Sequence, residues 1–189
     1  HSYEINVQAS YGKDLWEKCM KAGQEFNITP YGTETMHLLR AEKGYIIVGQ
    51  DTDGTVTPID LNLNWMIGKN KSDFIGKRSL SRSDIIKSDR KQLVGLVPID
   101  KSYGIEEGQH VIEQESLITP IKKPVKMLGQ VTSSYFSPTL NHSFAMALIK
   151  EGRRKIGSRL FVSTSNLNTL AVEVVNPNFI DPENVRLKS

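Results

Sequence analysis

A chain of 189 residues with 24 Lys and Arg against 21 Asp and Glu carries a formal charge of only +3, too little to argue for a nucleic-acid partner. Its single Cys excludes an internal disulfide framework and a multi-Cys metal site, and suits a reducing, cytoplasmic setting. No apolar run approaches the roughly 18–20 residues that span a bilayer, so no membrane partner is expected either.

The chain opens on His1, not Met, and reads as a piece of something larger. Tyr3, Ile5, Val7 and Ala9 alternate with Glu4, Asn6 and Gln8, the period of a strand with one apolar face. From Asp14, Leu15, Trp16, Cys19 and Met20 recur at helical spacing, so an amphipathic helix is predicted to about Ala22 with Cys19 on its buried stripe. After Pro30 and Gly32, a second helix is predicted over Thr33–Lys43, stopped by Gly44. Tyr45–Val48 reads as a short apolar strand, and Gly49–Gly54 as a loop. Pro58 opens a turn of helix carrying Leu61, Leu63, Trp65 and Met66.

Beyond Arg90 the pattern changes. Segments 92–99, 109–113, 127–135, 143–150, 159–164 and 169–175 are short, β-branched or alternating, and separated by Gly, Pro, Asn and Ser. Regularly spaced short strands predict a barrel or sandwich. The fold class is therefore α+β: a mixed αβ portion over residues 1–88, then an all-β, barrel-like domain over residues 89–189.

Several chemistries have no local support. His1, His37, His110 and His142 lack metal-ligand spacing, and there is no dinucleotide fingerprint, P-loop or serine-hydrolase elbow. Asp51-Thr52-Asp53-Gly54 begins like a calcium loop, but Asn62 stands where a bidentate Glu is needed, so it reads as a turn. The basic clusters Arg153-Arg154-Lys155 and Ile121-Lys122-Lys123 lack interleaved aromatics and read as solvated turns. Glu4 lies on the polar face of the predicted first strand, facing solvent or lining a site. Arg40 is a surface charge on its helix or a buried partner for a carboxylate.

The run from Pro30-Tyr31-Gly32 through Leu38-Leu39-Arg40-Ala41-Glu42-Lys43-Gly44-Tyr45 resembles the α subunits of heterotetrameric sarcosine oxidases. The resemblance continues through Gly49-Gln50-Asp51-Thr52-Asp53-Gly54 and Asp73-Phe74-Ile75-Gly76-Lys77. It returns at Gln92-Leu93-Val94-Gly95-Leu96 and Gly129-Gln130-Val131-Thr132-Ser133-Ser134-Tyr135, so it covers nearly the whole chain. The wider superfamily, that of the glycine-cleavage T-protein (aminomethyltransferase) and dimethylglycine oxidase, shares a folate-binding module, and the chain resembles its C-terminal part.

That resemblance implies chemistry. A one-carbon unit from oxidised sarcosine would reach tetrahydrofolate in this module and become 5,10-methylenetetrahydrofolate, with FAD, FMN and NAD elsewhere in the complex. Partners would be the remainder of the α subunit and the other sarcosine oxidase subunits. Tyr3-Glu4-Ile5 matches the family strand whose Glu binds the pterin, and one carboxylate can accept the pterin's adjacent amino and ring N–H groups together. Arg40 matches the Arg of a Leu-Arg-x-Glu-x-Gly helix end, as a structural ion pair with Glu42 or another carboxylate, or as a contact near the ligand. Trp65 matches an aromatic after the Thr-Pro loop, read as core packing ahead of a wall of the folate cavity.

Met36 departs from the Arg usual in T-proteins, so no substrate contact carries over there. The family's catalytic Asp belongs upstream, which leaves no catalytic residue in this chain and predicts an isolated chain with little or no turnover. Two rivals stand: a T-protein-like aminomethyltransferase with a lipoyl-bound donor, and a non-catalytic folate-binding accessory protein. The second carries a Lys-Gly-Cys motif where this chain has Lys43-Gly44-Tyr45, without the reactive thiol.

Overall fold

The computed structural model describes residues 3–113, 125–164 and 168–188; His1 and the Ile121-Lys122-Lys123 cluster lie outside them. The architecture is α+β, a helical first portion followed by an antiparallel barrel, as the element pattern predicts. Helices α1 (Gly12–Ala22), α2 (Thr33–Glu42) and the single-turn α3 (Lys77–Leu80) precede the strands, and α4 (Val185–Lys188) follows them. The strands are β1 (Lys91–Pro98), β2 (His110–Ile112), β3 (Met127–Ser137), β4 (His142–Lys150), β5 (Arg159–Ser163) and β6 (Thr169–Val175). The chain forms two compact units, His1–Met36 and His37–Ser189.

In the first unit, Tyr3–Gln8 does not form the predicted strand; among the described residues it has no ladder partner, and a short 3-10 turn begins at Ala9. Alternation says which side chains share a face, but a strand also needs a neighbour for its backbone groups. Helix α1 forms where the 3.6-residue period places it, with Asp14 in its first turn and Lys21 in its last, as the helix dipole favours. Its stripe is less enclosed than predicted: Cys19 is half-buried, and no residue of α1 is fully buried.

In the second unit the strands close in the order β1-β4-β3-β2-β5-β6, every neighbour antiparallel, and β1 pairs β6 to complete the ring. The lumen is filled by inward positions such as Val94, Leu96, Val131, Ala147, Val162 and Val172. Each large aliphatic side chain so enclosed contributes about 1.5–3 kcal/mol relative to exposure. A second core lies on the other face of the barrel wall. There Leu93, Phe144, Met146 and Leu148 pack with Ala41 and Leu61, joined by Leu38, Ile46, Val56 and Phe179. Strand β4 is therefore buried on both faces, which is why Phe144–Ile149 reads as an unbroken apolar run.

Helix α2 ends where Gly44 takes a left-handed conformation at φ 71°. The Gly44 N–H donates to Ala41 O at 2.9 Å and the Tyr45 N–H to Arg40 O at 2.8 Å, the paired bonds of a Schellman stop. A Cβ at Gly44 would also lie 2.7 Å from the Pro177 carbonyl oxygen, so the C-terminal segment packs directly on this turn. The predicted strand Tyr45–Val48 does not form: residues 45–47 have no regular structure and a turn begins at Val48. The Asp51 N–H donates to Ile47 O at 2.9 Å, and the Ile47 N–H donates to the Asp51 carboxylate at 2.9 Å, which uses that backbone locally. Pro58 does open a turn, followed by one 3-10 turn at Asn64–Met66.

Candidate functional site

Glu4 belongs to the first unit. Its side chain is exposed, with one long hydrogen bond from Asn6 Nδ2 at 3.4 Å, so its carboxylate keeps acceptor capacity. The side chains flanking it, Tyr3 and Ile5, are also exposed.

Arg40 and Trp65 belong to the second unit, and their surroundings are opposite. Trp65 stands on the 3-10 turn with 75% of its surface exposed, so it is not the core residue that packing predicts. Arg40 points from the last turn of α2 onto the barrel wall and is nearly enclosed, its side chain 11% exposed beside a fully buried Asp51. Its Nη1 donates to Asp51 Oδ2 at 2.6 Å and to the Tyr45 carbonyl at 3.1 Å. Its Nη2 donates to Ser133 Oγ at 2.8 Å and to the Tyr135 hydroxyl at 3.2 Å. The guanidinium carbon also lies 5.7 Å from the centre of the Tyr135 ring. The carboxylate partner of Arg40 is thus Asp51. Glu42 is buried separately, accepting from Ser137 Oγ at 2.6 Å.

A kink in β3 builds the other half of this cluster. The β3/β4 register shifts between Val131 and Ser133, so one extra residue sits opposite β4 there. A bulge lets successive side chains reach the same side. Here the Thr132 and Ser133 hydroxyls both donate to Asp51 Oδ1 at 2.6 Å. With Arg40 and the Ile47 N–H on Oδ2, both carboxylate oxygens are satisfied, as a buried charge requires.

A second buried pair ties the chain before β1 to the barrel. Asp60 receives Arg90 Nε at 2.8 Å and Nη2 at 2.6 Å, together with the Thr57 N–H and hydroxyl, each at 2.9 Å. Burial pushes the Asp60 carboxyl upward, but the Arg90 and Thr57 hydrogen bonds outweigh it and hold the group below the ordinary carboxylate range. Both ends of the Arg90–Asp60 contact are thereby locked, and the Leu93 N–H bonds Asp60 O at 3.0 Å.

The Asp51 contacts escape a reading by spacing. Thr132 and Ser133 lie about eighty residues away in sequence, and the Asp-Thr-Asp-Gly string reads as a turn on its own. The usable signal is indirect: an Arg among apolar helix positions needs a carboxylate, and Asp51 begins the nearest acidic loop after the helix stop. Among the described residues, no group of three His, Cys, Asp or Glu is poised around a metal ion, and no helix is long and apolar enough to cross a membrane.

Residues 1–71 match the family described as the GCVT N-terminal domain, and residues 91–181 match the glycine cleavage T-protein C-terminal barrel domain. The chain is 48% identical over 185 residues to a sarcosine oxidase subunit alpha of Corynebacterium sp. (strain U-96), covering 98% of this chain and 19% of that protein. The subunit of that name from Rhizobium meliloti (strain 1021) is 36% identical over 187 residues, 98% of this chain and 18% of that protein. An aminomethyltransferase of Rippkaea orientalis is 30% identical over 181 residues, 95% of this chain and 45% of that protein. In fold, the chain is similar to the crystal structure of the glycine cleavage system aminomethyltransferase T from Bartonella henselae. The TM-score is 0.72 at 23% identity, over 92% of this chain and 45% of that one. The chain spans less than half the length of each of these proteins.

Proposed function

The chain belongs to the glycine-cleavage T-protein family, and from that premise we propose that it is the tetrahydrofolate-binding part of a sarcosine oxidase α subunit. The observation that carries the reading is the 48% identity to such a subunit across 98% of the chain. In this reading the chain is part of a cytoplasmic oxidoreductase. The rest of the α subunit and the other subunits hold FAD, FMN and NAD, residues 1–88 belong to the folate-binding region and residues 89–189 are the barrel-like domain.

Glu4 and Trp65, each taken within its own unit, carry chemistry that a reduced pterin would use. Glu4 offers a carboxylate with unfilled acceptor positions, and Trp65 offers an open aromatic face. Tetrahydrofolate, when bound, supplies the nitrogens that take up a one-carbon unit. Glu4 would accept the two adjacent pterin N–H donors and so fix the ring's orientation. Arg40 would act at a distance, its guanidinium spent on Asp51, Ser133 and Tyr135 and so holding the end of α2 in place. The contribution is positioning, which converts an encounter into an oriented reaction. The groups that complete turnover lie outside residues 1–189.

The aminomethyltransferase reading is second. Met36 in place of the Arg usual at that position, and the lower identity of the aminomethyltransferase relative, both favour the oxidase. Calorimetric titration of tetrahydrofolate into the assembled enzyme tests the folate role. Glu4→Gln retains one acceptor oxygen and is expected to weaken binding by about 1.5–3 kcal/mol. An unchanged affinity removes Glu4 from the site.

A further inference from the structure

Residues 67–88 hold six Lys and Arg against two Asp, a net charge of +4 in a chain whose total is +3. The chain's positive charge is therefore concentrated in one stretch, which carries only the single turn of α3 as regular structure. The same stretch shapes an open groove of about 760 Å³, with Ile67, Phe74, Leu80 and Ile86 on its walls. Lys69, Lys77 and Arg78 also line it, with one carboxylate, Asp73, which accepts from the Phe74 N–H at 2.9 Å. Lys77 is held by the carbonyls of Lys71 and Ser72, at 3.1 and 2.5 Å. Lys69 and Arg78 are exposed and meet no carboxylate within salt-bridge distance among the described residues. Ile86 is 62% exposed, and Ile75 beside the groove is fully exposed.

This combination selects its occupant. An apolar patch whose rim is mainly cationic, Lys69, Lys77 and Arg78 against the single carboxylate of Asp73, is the form of a protein-docking surface. A nucleic acid would call for aromatic platforms among the cations, and the only aromatic here, Phe74, is half-buried. A small anion would call for enclosed, converging donors, whereas these cations stand on an open rim. We propose that the groove docks an acidic, amphipathic segment of another protein chain. Its apolar side chains would enter against Ile67, Phe74 and Ile86, and its carboxylates would meet Lys69 and Arg78. The proposal stands on this surface alone and does not depend on the folate reading.

Fluorescence anisotropy on the full chain tests it, using a labelled peptide in which Glu alternates with Leu. Saturable binding is expected, weakening roughly tenfold from low to high salt, and roughly tenfold again in Lys69→Glu/Arg78→Glu and in Ile86→Ser. The charge variants alter exposed positions, so their thermal midpoints should match the parent's, which separates lost docking from lost folding. The proposal is overturned if the peptide does not bind, or if Lys69→Glu/Arg78→Glu leaves its affinity intact. It is overturned equally if poly-glutamate, phosphatidylserine vesicles or a single-stranded oligonucleotide binds as tightly as the peptide.

Discussion

At the scale of single residues, Arg40 and Asp51 are the pair on which the covered wall of the barrel depends. Replacing Arg40 by Met leaves a fully buried carboxylate without its counter-ion, and breaking one side of such a pair costs about 3–5 kcal/mol. Urea denaturation should show that loss in Arg40→Met and a much smaller one in Arg40→Met/Asp51→Leu, where no charge is stranded. A double variant as unstable as the single one would mean that the polar contacts, and not the stranded charge, set the cost. Arg40→Lys should not restore stability, because an ammonium cannot reach Asp51, Ser133 and Tyr135 in the planar fork that Arg presents. Only half of this was legible beforehand. A buried partner for a carboxylate is one of the two readings the sequence leaves open for Arg40, the other being a surface charge, and the structure decides for the first. That the carboxylate is Asp51, steadied by hydroxyls from β3, depends on a bulge that no local pattern announces. Trp65 carries the reverse lesson: a Trp among Leu61, Leu63 and Met66 reads as core, yet a single 3-10 turn swings it outward.

At the scale of elements, the barrel strands were legible because two independent signals coincide, alternation or β-branching within each segment and turn residues between them. The boundaries fall within a residue or two of the predicted ones, as at 92–99 against Lys91–Pro98 and 143–150 against His142–Lys150. The failures, Tyr3–Ala9 and Tyr45–Val48, have strand-like side chains but no ladder partner among the described residues, and in the second the backbone bonds locally to Arg40 and Asp51 instead. The Asp60–Arg90 clamp is the element-scale device that joins the approach segment to β1, and it carries a pH signature. A carboxyl held below its unfolded value adds stability that is complete above about pH 5 and is lost as pH falls through its folded value. Asp60→Asn should therefore lower the unfolding free energy measured in urea at neutral pH by about 1–3 kcal/mol, and flatten its decline below about pH 4. An acid limb as steep as the parent's would move that titration to other carboxylates.

At the scale of the whole molecule, the two compact units differ in how much they enclose. The described residues of the first unit include no fully buried side chain, whereas the second carries two cores on either face of the barrel wall. Amides that open only with global unfolding belong to elements packed on both sides. Hydrogen exchange should find the slowest amides in β4 and much faster ones in α1. Equal protection in the two would require α1 to be enclosed to a degree that its exposed surface contradicts.

The double burial of β4 has one more consequence. Its odd-numbered side chains, Ala145, Ala147 and Ile149, look into the lumen, and its even-numbered ones, Phe144, Met146 and Leu148, look into the outer core. The strand is a party wall between two rooms. A fluorine probe on Met146 reports on the room that Arg40 shares, one on Ala147 reports on the lumen, and the two together tell which room a distant substitution has disturbed.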